Sequence, residues 1–240
     1  MVSPDSLQGP TEARPPAPVN WRGALLAATV LAGGCGALAP RPLDPLTAEE
    51  HNDLGVAYHA QGRYALAVRE FRRVTALRPG WPRGFVNLGD ALVAAGDAEG
   101  AIAAYEAARA AGADDPATAN NLAWALLQHP SRWPEAETLV RMALARDPTP
   151  RGYYLDTLGL VLLRKGEPQE ALRAFRAALA DRALRERRAR ALILSHAGDA
   201  LERVGDALGA GRCRALARDL GEPGGAPPEI EAVGGSDAVC

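Results

Sequence analysis

The feature that most constrains this chain is a pair of short amphipathic helices joined by a tight corner, which occupies residues 51–79. Helical spacing places apolar and small residues on one face of each helix: Leu54, Gly55 and Tyr58 in the first, and Ala67, Phe71 and Val74 in the second. Gly62 marks the end of the first helix, where glycine adopts the left-handed conformation without strain. Pro79 ends the unit, because proline cannot continue a helix. The sequence therefore predicts a helix-turn-helix unit.

The same unit recurs along the chain at a nearly constant period. Its copies are centred on the pairs Leu54–Gly55, Leu88–Gly89, Leu122–Ala123 and Leu158–Gly159. The third copy has an extra residue in its corner, so its second-helix alanine arrives at Ala136. A weaker fifth copy starts at Ala197–Gly198 and carries Arg214 where an aromatic residue is expected. A polar residue there suits a terminal repeat, whose outer face meets water.

In its residue types and spacing, this unit resembles a tetratricopeptide repeat, which is about 34 residues long. The residues that carry the resemblance in the first copy are Leu54–Gly55, Tyr58, Gly62, Ala67, Phe71 and Pro79. The resemblance implies an all-α fold, a right-handed superhelical solenoid of about ten helices. The expected domain spans residues 47–220, with repeats at about 48–81, 82–115, 116–150 and 151–182 and a capping repeat at 191–220.

Composition and charge exclude several classes of function. The formal net charge is −2, which argues against a general binder of nucleic acid or of anionic membranes. No alternating apolar run flanked by turn residues is present, so no β-sheet is expected. One cluster of basic residues is interpreted as a solvated helix face that joins the fourth and fifth repeats: Arg182, Arg185, Arg187, Arg188 and Arg190.

The amino-terminal part of the chain has the pattern of a secretory signal peptide. Arg22 precedes an apolar run, residues 24–32, which is shorter than the about 20 residues that a membrane-spanning helix needs. The segment Leu31-Ala32-Gly33-Gly34-Cys35 resembles a bacterial lipobox, although Ala32 stands where leucine is usual. The resemblance implies that residues 1–34 are removed and that Cys35 is acylated. The alternatives are a single membrane anchor or an apolar tail without a role.

The residues that flank the lipobox-like segment lead to further expectations. The proline-rich leader before Trp21 fits a signal peptide poorly, so we expect translation to start at Val19. Gly36 follows the lipobox instead of aspartate, which favours the outer membrane and the periplasmic side over inner-membrane anchoring. Residues 35–46 contain several prolines and are expected to form a semi-rigid tether. Thr47 and Glu50 are then placed to form a capping box at the first helix.

The remaining cysteines and the carboxyl end suggest little chemistry. A disulfide between Cys213 and Cys240 is left open, while a semi-buried Cys213 and an untethered terminal thiol are favoured. Residues 221–240, rich in glycine and proline, are interpreted as a disordered tail. The histidines and cysteines lack the spacing of a metal site, and Asp114 and Asp115 are explained by helix capping. We predict no catalytic residue, no metal and no cofactor.

The function implied by the resemblance is binding of a protein or peptide partner in a concave groove lined by the first helix of each pair. The groove positions of this chain are Asn52, Val56, His59, Asn87, Asp90, Asn120, Asn121, Trp124, Gln128, Tyr153, Asp156 and Arg164. The asparagines offer a donor and an acceptor to a peptide backbone, and the aromatics offer apolar anchors. For any one of them, packing between helices or simple solvation is an equally weighted alternative.

The groove lacks the basic residues with which chaperone-type repeats hold an acidic carboxyl terminus. Asn52, Val56, Ala117 and Asn121 occupy positions of that clamp, and only Asn87 matches it. The resemblance instead implies a non-enzymatic scaffold in the bacterial cell envelope that assists assembly of a pilus or secretion complex. The alternatives are an accessory subunit of an exopolysaccharide export system and a docking regulator of a periplasmic peptidase or cell-wall hydrolase.

Overall fold

The computed structural model describes residues 44–147 and 151–221. The predicted signal segment, the Val19 start, Cys35, nearly all of the tether and the carboxyl-terminal tail lie outside the described residues. Within the described ranges, none of the helices combines the length and the apolar character needed to cross a membrane.

Ten α-helices form the described part of the chain, and no strand occurs in it. They are α1 (Ala48–Ala60), α2 (Tyr64–Leu77), α3 (Pro82–Ala94), α4 (Ala98–Ala110), α5 (Pro116–Gln128), α6 (Trp133–Arg146), α7 (Arg151–Lys165), α8 (Pro168–Ala180), α9 (Arg187–Arg203) and α10 (Ala207–Gly221). Consecutive helices pack against each other, which makes five helix-turn-helix pairs. The predicted all-α class of helix-turn-helix repeats is confirmed.

Local sequence signals fix the ends of these helices. The side chain of Thr47 accepts a hydrogen bond from the backbone N–H of Glu50, and the side chain of Glu50 accepts one from the backbone N–H of Thr47. The predicted capping box is therefore present. Asp115 caps α5 by accepting from the backbone of Thr118 at 2.9 Å. Its neighbour Asp114 has a different role, because it pairs with Arg146 of α6. Gly62 has a φ of 71°, a conformation that suits glycine after the end of α1.

Within the first, second and fourth pairs, the two helices approach closely because glycine on the first helix faces an aromatic ring on the second. A methyl group placed on Gly89 would lie 2.5 Å from Cε1 of Tyr105, and one on Gly159 would lie 2.3 Å from Cε1 of Phe175. Both distances are far below van der Waals contact, so only glycine fits. Tyr105 and Phe175 are almost completely buried as a result.

The fifth pair keeps this arrangement with a different side chain. Cγ of Arg214 lies 3.2 Å from the position of a Cβ on Gly198, so its aliphatic stem takes the place of the aromatic ring. The guanidinium continues outward and pairs with Asp199 and Glu202. The interpretation of Arg214 as a solvent-facing variant of the repeat residue agrees with this geometry.

The core runs through the described helices as two clusters of buried side chains that meet at α7. Val161 belongs to the first cluster and Leu162 to the second. Tyr153, Leu158 and Leu160 pack against both. The odd-numbered helices also contact one another in succession, from α1 to α9, so the first helices of the five pairs lie side by side.

Leu54 shares a face with Gly55 and Tyr58 but is 38% exposed, because no described helix precedes α1 to cover that face. The structure differs from the sequence expectations in two places. α9 begins at Arg187, before the expected repeat start at residue 191, so the arginine cluster lies partly in the connection and partly in the first turn of α9. Cys213 is fully buried between α9 and α10 and is disulfide-bonded, with its partner outside the described residues.

Candidate functional site

A cleft of about 450 Å³ opens along the first helices of the repeats. We call it the central cleft; its lining residues are His59, Asp90, Val93, Ala94, Tyr105, Asn120, Asn121, Trp124, Tyr153, Asp156, Thr157 and Leu192. Apart from Tyr105 of α4, all of these come from the odd-numbered helices α1, α3, α5, α7 and α9. The site therefore exists only because consecutive repeats place their first helices side by side.

A smaller pocket of about 170 Å³ adjoins the central cleft at its α1 end. It is lined by Val56, His59, Ala60, Phe71, Asn87 and Asp90, so it shares His59 and Asp90 with the cleft. Nδ2 of Asn87 donates to Oδ1 of Asn52 at 2.7 Å, which joins α3 to α1 beside the pocket. Val56 is half exposed and offers an apolar surface there.

Asp90 is the centre of a polar cluster on the cleft wall. Its Oδ1 accepts hydrogen bonds from the hydroxyl of Tyr105 at 2.6 Å and from Nδ2 of Asn121 at 3.2 Å. Burial raises the pKa of Asp90, and the two hydrogen bonds together with nearby His59 oppose that rise only in part. The pKa of Tyr105 is raised as well, mainly by burial and also by the neighbouring carboxylate.

A second carboxylate lies toward the other end of the cleft. Nδ1 of His196 on α9 donates to Oδ1 of Asp156 on α7 at 2.8 Å, and both side chains are largely buried. The ring of His196 also packs against Phe175, with 5.9 Å between ring centroids. Burial raises the pKa of Tyr153 on α7, and a hydrogen bond to Glu186 adds to that rise.

The middle of the cleft is formed by α5, where polar and apolar groups stand together. Asn120 is only 8% exposed, and its Oδ1 has no hydrogen-bond partner among the described residues. A buried amide oxygen without a donor costs about 1–3 kcal/mol, so such groups call for an explanation. Trp124 is half-buried beside it and lines the cleft, rather than being enclosed between helices.

The structure brings most of the predicted groove residues together and leaves three outside the two cavities. Val56, His59, Asn87, Asp90, Asn120, Asn121, Trp124, Tyr153 and Asp156 line one or both. Asn52 is adjacent through its hydrogen bond to Asn87. Gln128 and Arg164 do not line them: each lies near the carboxyl end of its helix and is exposed, and Arg164 donates to the backbone oxygen of His129.

Sequence reasoning missed several lining residues. Thr157 and Leu192 were not singled out, and Leu192 is 53% exposed at the cleft edge. Tyr105 stands 34 residues after Phe71, at a repeat position expected only to pack between helices, although its hydroxyl reaches Asp90. A signal for it was available, because the equivalent residues Phe71 and Phe175 lack a hydroxyl, and a buried tyrosine usually has a polar partner.

No group of three or more histidine, cysteine or acidic side chains in the described ranges is arranged to hold a metal ion. The hydrogen bonds of the cleft connect its carboxylates to tyrosine, asparagine and histidine. The lining residues together offer hydrogen-bond acceptors, apolar walls and the aromatic side chains of Trp124 and Tyr153. This arrangement suits recognition of an extended segment.

Comparison with known proteins identifies the repeats. Residues 48–81 and 86–149 match family models of the tetratricopeptide repeat, so these parts of the chain are tetratricopeptide repeats. Proteins with this fold mediate interactions with other proteins. The search of curated proteins found no match.

Solved structures agree on the fold. MamA from Desulfovibrio magneticus RS-1, from residue 41 to its end, is 15% identical with a TM-score of 0.56, covering 72% of this chain and 94% of that one. PilF of Pseudomonas aeruginosa is 20% identical with a TM-score of 0.58, covering 73% and 77%. A chain of the APC/C hetero-tetramer Cut9–Hcn1 is 19% identical with a TM-score of 0.65; the match covers 74% of this chain and 34% of that one. At these identities the likeness shows the fold alone.

Proposed function

We propose that this protein is a non-enzymatic adaptor that binds an extended segment of a protein partner in the central cleft. The observation that carries the proposal is the cleft itself, where side chains from five consecutive first helices converge on one cavity. Trp124 and Tyr153 supply apolar anchors, and Asn120 and Asn121 supply hydrogen-bonding groups to a peptide backbone.

Replacement of Trp124 by alanine tests this proposal. Because Trp124 is half-buried and lines the cleft, the variant should bind the partner at least about tenfold more weakly, as expected for an aromatic anchor. Its circular dichroism and melting temperature should stay near those of the wild type. Trp133→Ala on α6, outside the cleft, is the matched control and should leave affinity unchanged. Equal affinity of the Trp124 variant and the wild type would remove the cleft from partner binding.

We further propose that acylation of Cys35 anchors the adaptor in the bacterial cell envelope, facing the periplasm from the outer membrane. The support is the lipobox-like segment Leu31-Ala32-Gly33-Gly34-Cys35. More than one acyl chain would give stable membrane attachment. Labelling of cells with a radioactive fatty acid should mark the wild type and not Cys35→Ser, and the variant should leave the membrane fraction. Labelling of both proteins would contradict the assignment.

Within the envelope, the proposed role is assembly of a pilus or secretion complex. Crosslinking followed by pulldown from envelope extracts identifies the partner, with Trp124→Ala as the control for cleft-dependent capture. Capture of a subunit of an outer-membrane pore supports the proposal. Capture of a polysaccharide export subunit, or of a periplasmic peptidase or hydrolase, would replace it with one of the two alternative roles.

A further inference from the structure

The ionisable side chains that line the central cleft are unbalanced in charge. Among the described residues, Asp90 and Asp156 are the carboxylates that line the cleft, and no lysine or arginine lines it or the adjoining pocket. Elsewhere in the described residues carboxylates are commonly paired with arginine, as in Asp114 with Arg146. The cleft is therefore an acidic surface, in which the imidazole of His59 is the one basic side chain among the described lining residues.

Each of these carboxylates retains an unused oxygen. The hydrogen bonds from Tyr105 and Asn121 both end on Oδ1 of Asp90, and the bond from His196 ends on Oδ1 of Asp156. Among the described residues, Oδ2 of neither carboxylate accepts a hydrogen bond. The bonds that are present fix each carboxylate in orientation, since they come from largely buried groups. Two oriented carboxylates with free acceptor capacity are suited to a donor-rich ligand.

Aromatic and amide groups separate the carboxylates. Trp124 lines the cleft from α5 and Tyr153 from α7, and ring faces attract cations. The Asn120 amide also has hydrogen-bonding capacity that the described residues do not use. Val93 and Leu192 complete the walls with apolar surface.

We propose that the central cleft selects partner segments that carry an arginine side chain flanked by apolar residues. This inference rests on the proposed function and adds the chemistry of the partner. A guanidinium is planar, donates five N–H groups and stacks on aromatic rings, so it matches carboxylates that alternate with aromatic side chains better than a compact ammonium does. An acidic segment is disfavoured by like charge.

Selection of binders to the full chain from a displayed library of random peptides tests both the adaptor function and the preference for arginine. Enrichment of peptides with an arginine between apolar residues is the expected result. Enrichment of peptides without arginine would overturn the arginine inference and leave the adaptor function standing. Absence of any peptide enriched over a bare surface would count against the proposed function itself.

A quantitative test uses a selected arginine peptide and its counterpart with citrulline, which is similar in shape and uncharged. In the wild type the arginine peptide should bind at least about tenfold more tightly, as a charge-assisted hydrogen bond implies. The double variant Asp90→Asn, Asp156→Asn should bring that ratio close to one. Asp53→Asn, which removes an exposed carboxylate of α1 outside both cavities, should leave the ratio unchanged.

Folding of each variant is checked by circular dichroism, and a single Asp156→Asn variant is used if the double variant unfolds. A ratio that stays the same in the cleft variants would overturn the inference. A lysine peptide that binds as tightly as the arginine peptide would also overturn it, because general charge attraction would then explain the affinity.

Discussion

At the scale of single residues, Asp90 is distinguished by a buried carboxyl group with a raised pKa. Burial raises its pKa, so the ionised form is less favourable in the folded protein than in water. Tyr105 and Asn121 hold the carboxylate in place without removing that cost. Groups that reduce stability while remaining precisely oriented are concentrated at binding and catalytic sites. This is consistent with the proposal that Asp90 takes part in partner recognition rather than in support of the fold.

The first prediction is that Asp90→Asn does not destabilise the protein at pH 7. A carboxyl group whose pKa rises on folding stabilises the fold when it is protonated, and this contribution is lost as the pH rises through the folded pKa. The neutral variant should therefore unfold at an equal or higher urea concentration than the wild type at pH 7. Its advantage should shrink as the pH is lowered toward 3.8, the value for an unperturbed aspartate.

Urea unfolding of both proteins between pH 4 and about pH 7 measures this difference, with Asp53→Asn as the exposed control. Only the difference between variant and wild type is informative, because other carboxyl groups have lowered pKa values and change stability in the opposite direction. A variant clearly less stable than the wild type at pH 7 would show that Asp90 supports the fold.

Glu70 contrasts with Asp90, because its pKa is lowered rather than raised in the folded protein. It is 6% exposed, and its Oε2 lies 2.8 Å from Nδ1 of His51, while Arg69 donates to its other oxygen. Burial alone would raise the pKa of Glu70, but the hydrogen bonds from Arg69 and His51 lower it overall. This pair joins α1 to α2 and lies outside both cavities.

The second prediction concerns this buried pair. Glu70→Ala should lower the free energy of unfolding by about 3 kcal/mol at pH 7, because the imidazole then loses a buried carboxylate partner. Since the pKa of Glu70 is lowered on folding, its contribution is present above the unfolded value and is lost as the pH falls through the folded pKa. Denaturant unfolding at pH 7 and in acid measures both effects. A loss that persists in strong acid would indicate lost packing instead.

At the scale of helix pairs, the contact between glycine and an aromatic ring sets how closely the helices approach in the first, second and fourth pairs. Gly89 faces Tyr105, which is 2% exposed and is held through its hydroxyl by Asp90. The ring therefore cannot move aside without breaking a buried hydrogen bond. The same contact that closes the second pair also positions a residue of the cleft wall.

The third prediction is that Gly89→Ala lowers stability by about 1–3 kcal/mol, although alanine is the better helix former. The added methyl group would lie 2.5 Å from the Tyr105 ring. Gly211→Ala in α10 is the matched control: nothing lies within 4 Å of its added methyl, so the change should stabilise the helix by about 0.5–1 kcal/mol. Thermal melts of both variants separate packing from helix propensity. Normal stability of the Gly89 variant would refute the assigned helix contact.

The sequence predicts helix pairs and much of the cleft because a fixed period determines which residues share a face. Trp124 and Asp156 were assigned in this way, and both line the cleft. The exposure of a residue also depends on neighbouring helices, which the period does not specify. This explains why Leu54 is 38% exposed. Gln128 and Arg164 lie outside both cavities for a related reason, because the ends of a helix extend past the part covered by adjacent repeats.

At the scale of the whole described solenoid, stability depends on contacts between neighbouring helices. α10 packs on α9, whereas α7 contacts α5, α6, α8 and α9. In repeat proteins, stability is approximately a sum of repeat and interface contributions, so elements with fewer neighbours open more easily. The meeting of the two buried clusters at α7 makes this helix the connection between the two halves of the core.

The last prediction is that α7 couples the opening of the two halves. Native-state hydrogen exchange should show the greatest protection in α5 and α7 and the least in α10. Leu160 packs against both clusters, so Leu160→Ala should cost about 2 kcal/mol and lower protection in α3 as well as in α9. Leu201→Ala, within the second cluster, should lower protection mainly in α9 and α10. If Leu160→Ala affects only one side, the two clusters open independently, and a cleft that spans both would be assembled only when both are closed.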